Sequence, residues 1–266
     1  NFTIYVGAKF LPGYRAQTIF ESQYSPNQIT LSAGGNDIGF SDITLRCIDT
    51  YTCYDSFEDR LELADLINKQ FQPLTKMYDD VKASTDPRAK IYVIGYPQIA
   101  NTNGICDLNV HLNRDERVFA QQLVNYLNSD IKKAAQNSGV YYVDVEEAFA
   151  GHKMCDDVPS WQVAINGLTA GNDQLNLPFI HGPIGNESYH PNAYGHSLLA
   201  ERILEKTSNF TASMPTPDPG VTASDPDPNS TFLQAPKSNR VIRSLKHYTG
   251  TDGGVMQAGH YWAWDA

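Results

Sequence analysis

Glu187-Ser188-Tyr189-His190-Pro191 sets a carboxylate three residues before a histidine. Pro191 closes the segment, so both side chains fit one tight turn. There the carboxylate can accept a hydrogen bond from the imidazole and fix its tautomer, which is the base-and-orienter half of a nucleophilic triad. Such a spacing arises often by chance and needs context elsewhere in the chain. Gly34-Gly35-Asn36-Asp37 supplies it, following the β-prone run Gln28-Ile29-Thr30-Leu31-Ser32-Ala33. An apolar strand that empties into a glycine turn exposes the Asn36 amide, which can donate to a developing oxyanion. A donor of that kind is worth about 3 kcal/mol. The competing reading is structural: glycine supplies unusual φ/ψ, and Asn or Asp caps the next helix. The histidine turn downstream tips the balance toward chemistry. Asp37 reads as a brace for the turn. His196, at the start of the last helix, reads as structural, and His152 and His181 as loop histidines.

The elements that position these groups follow from periodicity. Residues 1–8 read as a short strand ending at Gly7, and Ala8 to Gln23 as a loop and a helix broken at Pro12-Gly13. Gln28 to Ala33 is a strand. Ile38 to Cys53 is a helix start and a loop without a strong period. Phe57, Leu61, Ala64, Ile67, Phe71, Leu74, Tyr78 and Val81 step by three and four, which predicts a helix over Phe57 to Lys82. Pro73 should kink or split it. Ala89 to Gly95 is a strand apolar on both faces, as for a central parallel strand. Arg114 to Ala135 is a helix stopped by Asn137-Ser138-Gly139. Val140 to Val145 is a strand, and Tyr194 to Lys206 the last helix. Strands alternating with helices predict a parallel sheet with helices on both faces. Ligands of such sheets bind beyond the carboxyl ends of the strands, where Asn36 falls. The long Gly/Asn/Pro-rich stretch Asp156 to Asn186 reads either as one wall of an acyl-binding cleft, through Trp161 and Phe179, or as a surface loop packed on itself.

In Gly34-Gly35-Asn36-Asp37-Ile38-Gly39-Phe40, Ile91-Tyr92-Val93-Ile94-Gly95-Tyr96-Pro97-Gln98 and Glu187 to His196, the chain resembles the SGNH (GDSL-like) serine hydrolases, in their secreted, disulfide-containing esterase/lipase branch. The resemblance spans Asn1 to Lys206. It implies a three-layer α/β/α fold with a flavodoxin-like parallel sheet. It also implies ester hydrolysis through an acyl-enzyme without metal or cofactor. His190 would be the base and Glu187 its orienter, with a backbone carbonyl as the substitute should Glu187 point elsewhere. Asn36 and the Gly7 N–H would form the oxyanion hole, with Gly35, Trp161 and Phe179 binding substrate. The family's nucleophile is a serine in a G-D-S motif after the first strand, and this chain contains no G-D-S. Asn1 to Ala8 looks like the family's second motif. The first strand and the serine are therefore expected before residue 1. A descendant that lost its nucleophile and binds without catalysis is the alternative, and a carbohydrate acetylesterase is another.

The 266 residues carry a formal net charge of −10 and 41% hydrophobic residues. The acidity argues against nucleic acid and anionic membranes as partners. No apolar run approaches the ~20 residues of a membrane span. No G-x-G-x-x-G or P-loop opens a helix, which disfavours a nucleotide-binding protein. Cys47, Cys53, Cys106 and Cys155 lack C-x-x-C spacing, so zinc is not indicated, and four cysteines allow three pairings. The resemblance implies Cys47–Cys53 and Cys106–Cys155, and disulfides imply an oxidising, extracellular compartment. Sequons at Asn1, Asn186, Asn209 and Asn229 are compatible with secretion. We read 1–206 as the hydrolase-like domain. Residues 207–238, rich in Pro, Ser, Thr and Asp, read as an extended linker. Residues 239–266 read as a tail or the start of a second module.

Overall fold

The structure is a computed structural model that describes residues 26–49, 53–170, 185, 187–208, 213–223 and 227–234. The expected elements in 1–23, the residues Gly7, Phe179 and His181, and the tail 239–266 lie outside them.

The described strands are β1 (Gln28–Leu31), β2 (Lys90–Ile94) and β3 (Tyr141–Val143). They form a parallel sheet in the order β1-β2-β3, with Leu31 beside Val93 and Ile94 beside Val143. β2 is buried from Ile91 to Ile94, as a central strand covered on both faces must be. Its side chains divide between two cores. Ile91 and Val93 join Phe71, Leu74, Tyr78, Leu123, Leu127 and Ile131. Tyr92 and Ile94 join Tyr141, Val143 and Val145, against Leu199 and Ile203.

Helices therefore cover both faces. The larger core is covered by α1 (Phe40–Asp49), α2 (Phe57–Asn68), α3 (Phe71–Ser84) and α4 (Arg114–Ser138), and the smaller one by α5 (Ala193–Ser208). This is the expected α/β architecture. The expected long helix over 57–82 divides ahead of Pro73. In a helix interior the proline ring would strike the carbonyl four residues back, at Lys69, and α2 ends there. Pro73 then occupies the first turn of α3, where a missing N–H costs nothing. Phe57, at the start of α2, is exposed rather than on the buried face.

α4 starts in a capping box. Asn113 accepts from the Asp115 and Glu116 N–H groups, and Glu116 accepts from the Asn113 N–H. It runs through Ser138 because the residues read as a stop are used within it. Asn137 donates to the Val221 carbonyl at 2.8 Å and Ser138 to that of Thr75 at 3.0 Å. Gly139 alone ends the helix, in the left-handed region at φ 67°.

The described parts of the stretch read as a linker lie on the body. Tyr141 donates to the Ser213 carbonyl, and the Asp218 N–H to that of Gln136. Phe232 and Leu233 are buried, with Phe232 stacked on Tyr126 at 4.7 Å. The described residues through 234 accordingly belong to one packed unit.

A Cβ on Gly139 would meet Pro217 N at 2.6 Å and the Pro215 carbonyl at 2.8 Å. Gly151 is also left-handed, at φ +77°, with nothing within 4 Å of that position. Gly151→Ala should cost about 1 kcal/mol from backbone strain alone. Gly139→Ala adds the collision with the proline-rich segment and should cost about 2–3 kcal/mol. Thermal unfolding of both variants checks the ranking, and equal midpoints would show that this segment yields freely.

Candidate active site

β1 empties at its carboxyl end into Ser32-Ala33-Gly34-Gly35-Asn36. Gly34 sits at φ +110°, which only glycine adopts readily. The turn is closed by the Ile38 N–H on the Gly34 carbonyl and the Phe40 N–H on that of Gly35. Asp37 accepts from the Gly34 N–H, so it contacts the turn backbone, and burial raises its pKa. Asn36 is exposed.

His190 is carried by a turn ahead of α5 that is tied down on several sides. Tyr189 is buried in the left-handed region at φ 58°, and its hydroxyl donates to the Val110 carbonyl. Such strain persists where the surroundings over-determine it. The Asn166 N–H donates to the His190 carbonyl at 3.0 Å, and Ile165 bridges Pro191. Asn192 caps α5 by accepting from the Gly195 N–H, while its amide donates to the Val163 carbonyl.

The imidazole's orientation differs from the arrangement expected from spacing. His190 Nδ1 lies 3.0 Å from the Ser188 carbonyl oxygen, to which it can only donate. That bond selects the Nδ1–H tautomer and leaves Nε2 as the proton acceptor. Glu187 is exposed and enters the turn through its backbone, its carbonyl accepting from His190 N–H and the Asn166 amide. The Ser188 carbonyl thus occupies the place expected for the Glu187 carboxylate. In a turn this tight, the backbone oxygen two residues back is the nearer acceptor.

Asn36, Gly35 and His190 line one cavity of about 410 Å³ at the carboxyl ends of β1 and β2. Its apolar wall comes from Leu123, Val124 and Leu127 of α4 and Leu199 and Ile203 of α5. Trp161, expected in that wall, is 74% exposed and is not among its lining residues. Of the described part of the 156–186 stretch, Ile165 reaches the cavity. Sequence reasoning missed the helical wall, because those leucines and valines read only as core. It also missed Tyr96, which lines the cavity; its position just past the central strand was the signal that could have found it. His152 is held by the Gln162 carbonyl and the Tyr194 ring, away from His190. Among the described residues, no group of three or more His, Cys, Asp or Glu side chains could hold a metal ion.

Disulfides join Cys47 to Cys53 and Cys106 to Cys155, as expected. The second ties the loop before α4 to the segment after β3.

A profile of the GDSL-like Lipase/Acylhydrolase family matches residues 6–198. The chain belongs to the GDSL-like lipase/acylhydrolase family. Lipase 1 of Streptomyces coelicolor is 27% identical to this GDSL-like chain over 192 residues, covering 70% of the chain and 63% of that relative. A lipase of Streptomyces rimosus is 28% identical over 204 residues, covering 74% of the chain and 66% of the relative. The match thus spans slightly less than two thirds of either relative's length. The crystal structure of phospholipase A1 from Streptomyces albidoflavus NA297 superposes with a TM-score of 0.52 at 24% identity, covering 77% of the chain and 76% of that structure. It has the same fold as this GDSL-like chain.

Proposed function

We propose that the protein is a secreted serine esterase or lipase that hydrolyses carboxylic esters through an acyl-enzyme. The observation that carries this reading is that His190, with Nδ1 engaged by a carbonyl, and Asn36, on a glycine turn, line the same apolar-walled cavity. His190 Nε2 takes the proton of a nucleophilic serine and returns it to the departing alkoxide. The Asn36 amide, with the Gly7 N–H, donates to the tetrahedral oxyanion. The reading requires a nucleophilic serine, which the family carries in a G-D-S motif that these 266 residues do not contain. The leucine- and valine-lined wall suits an acyl chain better than a sugar, which favours lipid or acyl esters over acetylated carbohydrate. The lipase names of the Streptomyces relatives support the same choice. Two disulfides support an oxidising, extracellular home.

The test is hydrolysis of p-nitrophenyl acetate, butyrate and palmitate by the 266-residue chain and by a form extended through a G-D-S segment. Turnover confined to the extended form, rising with acyl length, is expected. A folded, extended protein inert toward all three would leave a binding role instead. In the active form, Asn36→Ala should lower kcat about 10²–10³-fold with little change in KM, because the oxyanion exists only in the transition state. Steady-state kinetics on the butyrate ester reads both constants.

A further inference from the structure

An oxyanion donor stabilises the transition state only if it is already in place when the charge forms. Asn36 stands on Gly34-Gly35, the least constrained kind of backbone, past the end of its strand. Something other than secondary structure must fix that turn.

We propose that Tyr96 is a positioning residue for Asn36, its phenol oxygen fastening the glycine turn against the end of the central strand. This rests on the reading of Asn36 as the oxyanion donor.

Three observations carry it. The Gly35 N–H donates to Tyr96 Oη at 3.0 Å. The fit is close as well: a Cβ on Gly35 would lie 2.9 Å from that oxygen and 3.0 Å from the ring carbon bearing it. Finally, Tyr96 is itself clamped. Its N–H donates to Asn128 Oδ1 at 2.7 Å, and Asn128 Nδ2 donates back to its carbonyl at 2.8 Å. Asn128 is buried on α4 and also donates to Glu146. A rigid path therefore runs from α4 through Tyr96 to the amide just before Asn36. Burial holds the phenol neutral through the ordinary working range of pH, so it keeps its proton while accepting from Gly35.

The variant Tyr96→Phe removes the oxygen and keeps the ring. In the form extended through a G-D-S segment, with p-nitrophenyl butyrate as substrate, kcat should fall about tenfold, the loss of one pre-set hydrogen bond, and KM should stay within about twofold. The same change made in Asn36→Ala should alter kcat by less than about twofold, since the effect travels through Asn36. Unchanged kcat in Tyr96→Phe overturns the proposal. So does an equal tenfold fall in both backgrounds, which would mean a general structural role. If Asn36→Ala alone keeps full activity, the reading of Asn36 has failed instead, a separate outcome read in the same set. Should Tyr96→Phe melt below the assay temperature, Gly35→Ala decides. Its methyl group pushes on the phenol from the other side, and the same loss must appear with Asn36 present and vanish with Asn36→Ala.

Discussion

His190→Ala is expected to reduce ester hydrolysis by the form extended through a G-D-S segment on the order of 10⁴–10⁶-fold, leaving only what the proposed oxyanion donors and substrate binding contribute. Among the described residues, no other imidazole lines the cavity, and the tautomer of this one is fixed by the Ser188 carbonyl. Alanine cannot take the serine's proton, and a neutral hydroxyl is a weak nucleophile. The companion change Glu187→Gln should alter kcat by less than about threefold, since an exposed carboxylate without a grip on the ring contributes little. Initial rates with p-nitrophenyl butyrate at saturating substrate measure both. Full activity in His190→Ala would remove it from the mechanism. A large loss in Glu187→Gln would return the orienting role to the carboxylate.

Arg60→Ala should destabilise the fold more than either glycine substitution, lowering stability by about 3–5 kcal/mol. Arg60 is 1% exposed on α2. Its Nε donates to the Tyr54 carbonyl at 2.6 Å, and Nη1 donates to Gln122 Oε1 and to the Phe232 carbonyl. The guanidinium also lies 5.1 Å over the Phe119 ring. Burial pulls its pKa down to about 10, so the charge is held at a cost that these hydrogen bonds offset. Without the fork, buried acceptors lose their donor and a cavity opens under Phe232 and Leu233. For a domain of this size the unfolding midpoint should drop by roughly 6–15 °C. Limited proteolysis should also begin to cut within 227–234. Lysine cannot span three acceptors and should rescue little. An unchanged midpoint in Arg60→Ala would show that the C-terminal part of this unit is held by other means.

Much of the fold was legible because its signals are local. The apolar run of β2 announces burial on both faces wherever it occurs, and Asn113 with Glu116 marks a helix start by chemistry alone. The glycine turn and the histidine turn were legible because their residue types carry the chemistry. Other features depended on distant parts of the chain. Proline content marks 207–238 as a change of composition, but whether Phe232-Leu233 finds a pocket depends on Arg60, Phe119 and Tyr126 far upstream. Trp161 looked like a cavity wall because it is large and apolar, yet nothing local says which way a loop residue points. The spacing from Glu187 to His190 permits either a carboxylate or a carbonyl partner for the ring. The backbone of Ser188 and Tyr189 decides, and spacing does not encode it. Tyr96 read as the end of a strand because its partner, Gly35, is a glycine amide with no side chain to advertise the contact.

The two faces of the sheet are unequally armoured, and this gives the molecule a hard side and a soft side. On the α4 side, opening any element exposes a large continuous core, so its amides should exchange with solvent only when the whole unit unfolds. On the other side, α5 buries only Gly195 and Thr207 fully, and its Tyr194, Leu198, Leu199 and Ile203 are only partly buried against the two cores. It can lift in a local fluctuation. His190 stands at the foot of that helix, but its carbonyl accepts from the Asn166 N–H and its neighbour Tyr189 donates to the Val110 carbonyl. Breathing of α5 would therefore widen the cavity wall formed by Leu199 and Ile203 while His190 keeps its place, so that on the proposed reading one cavity would admit acyl chains of different girth.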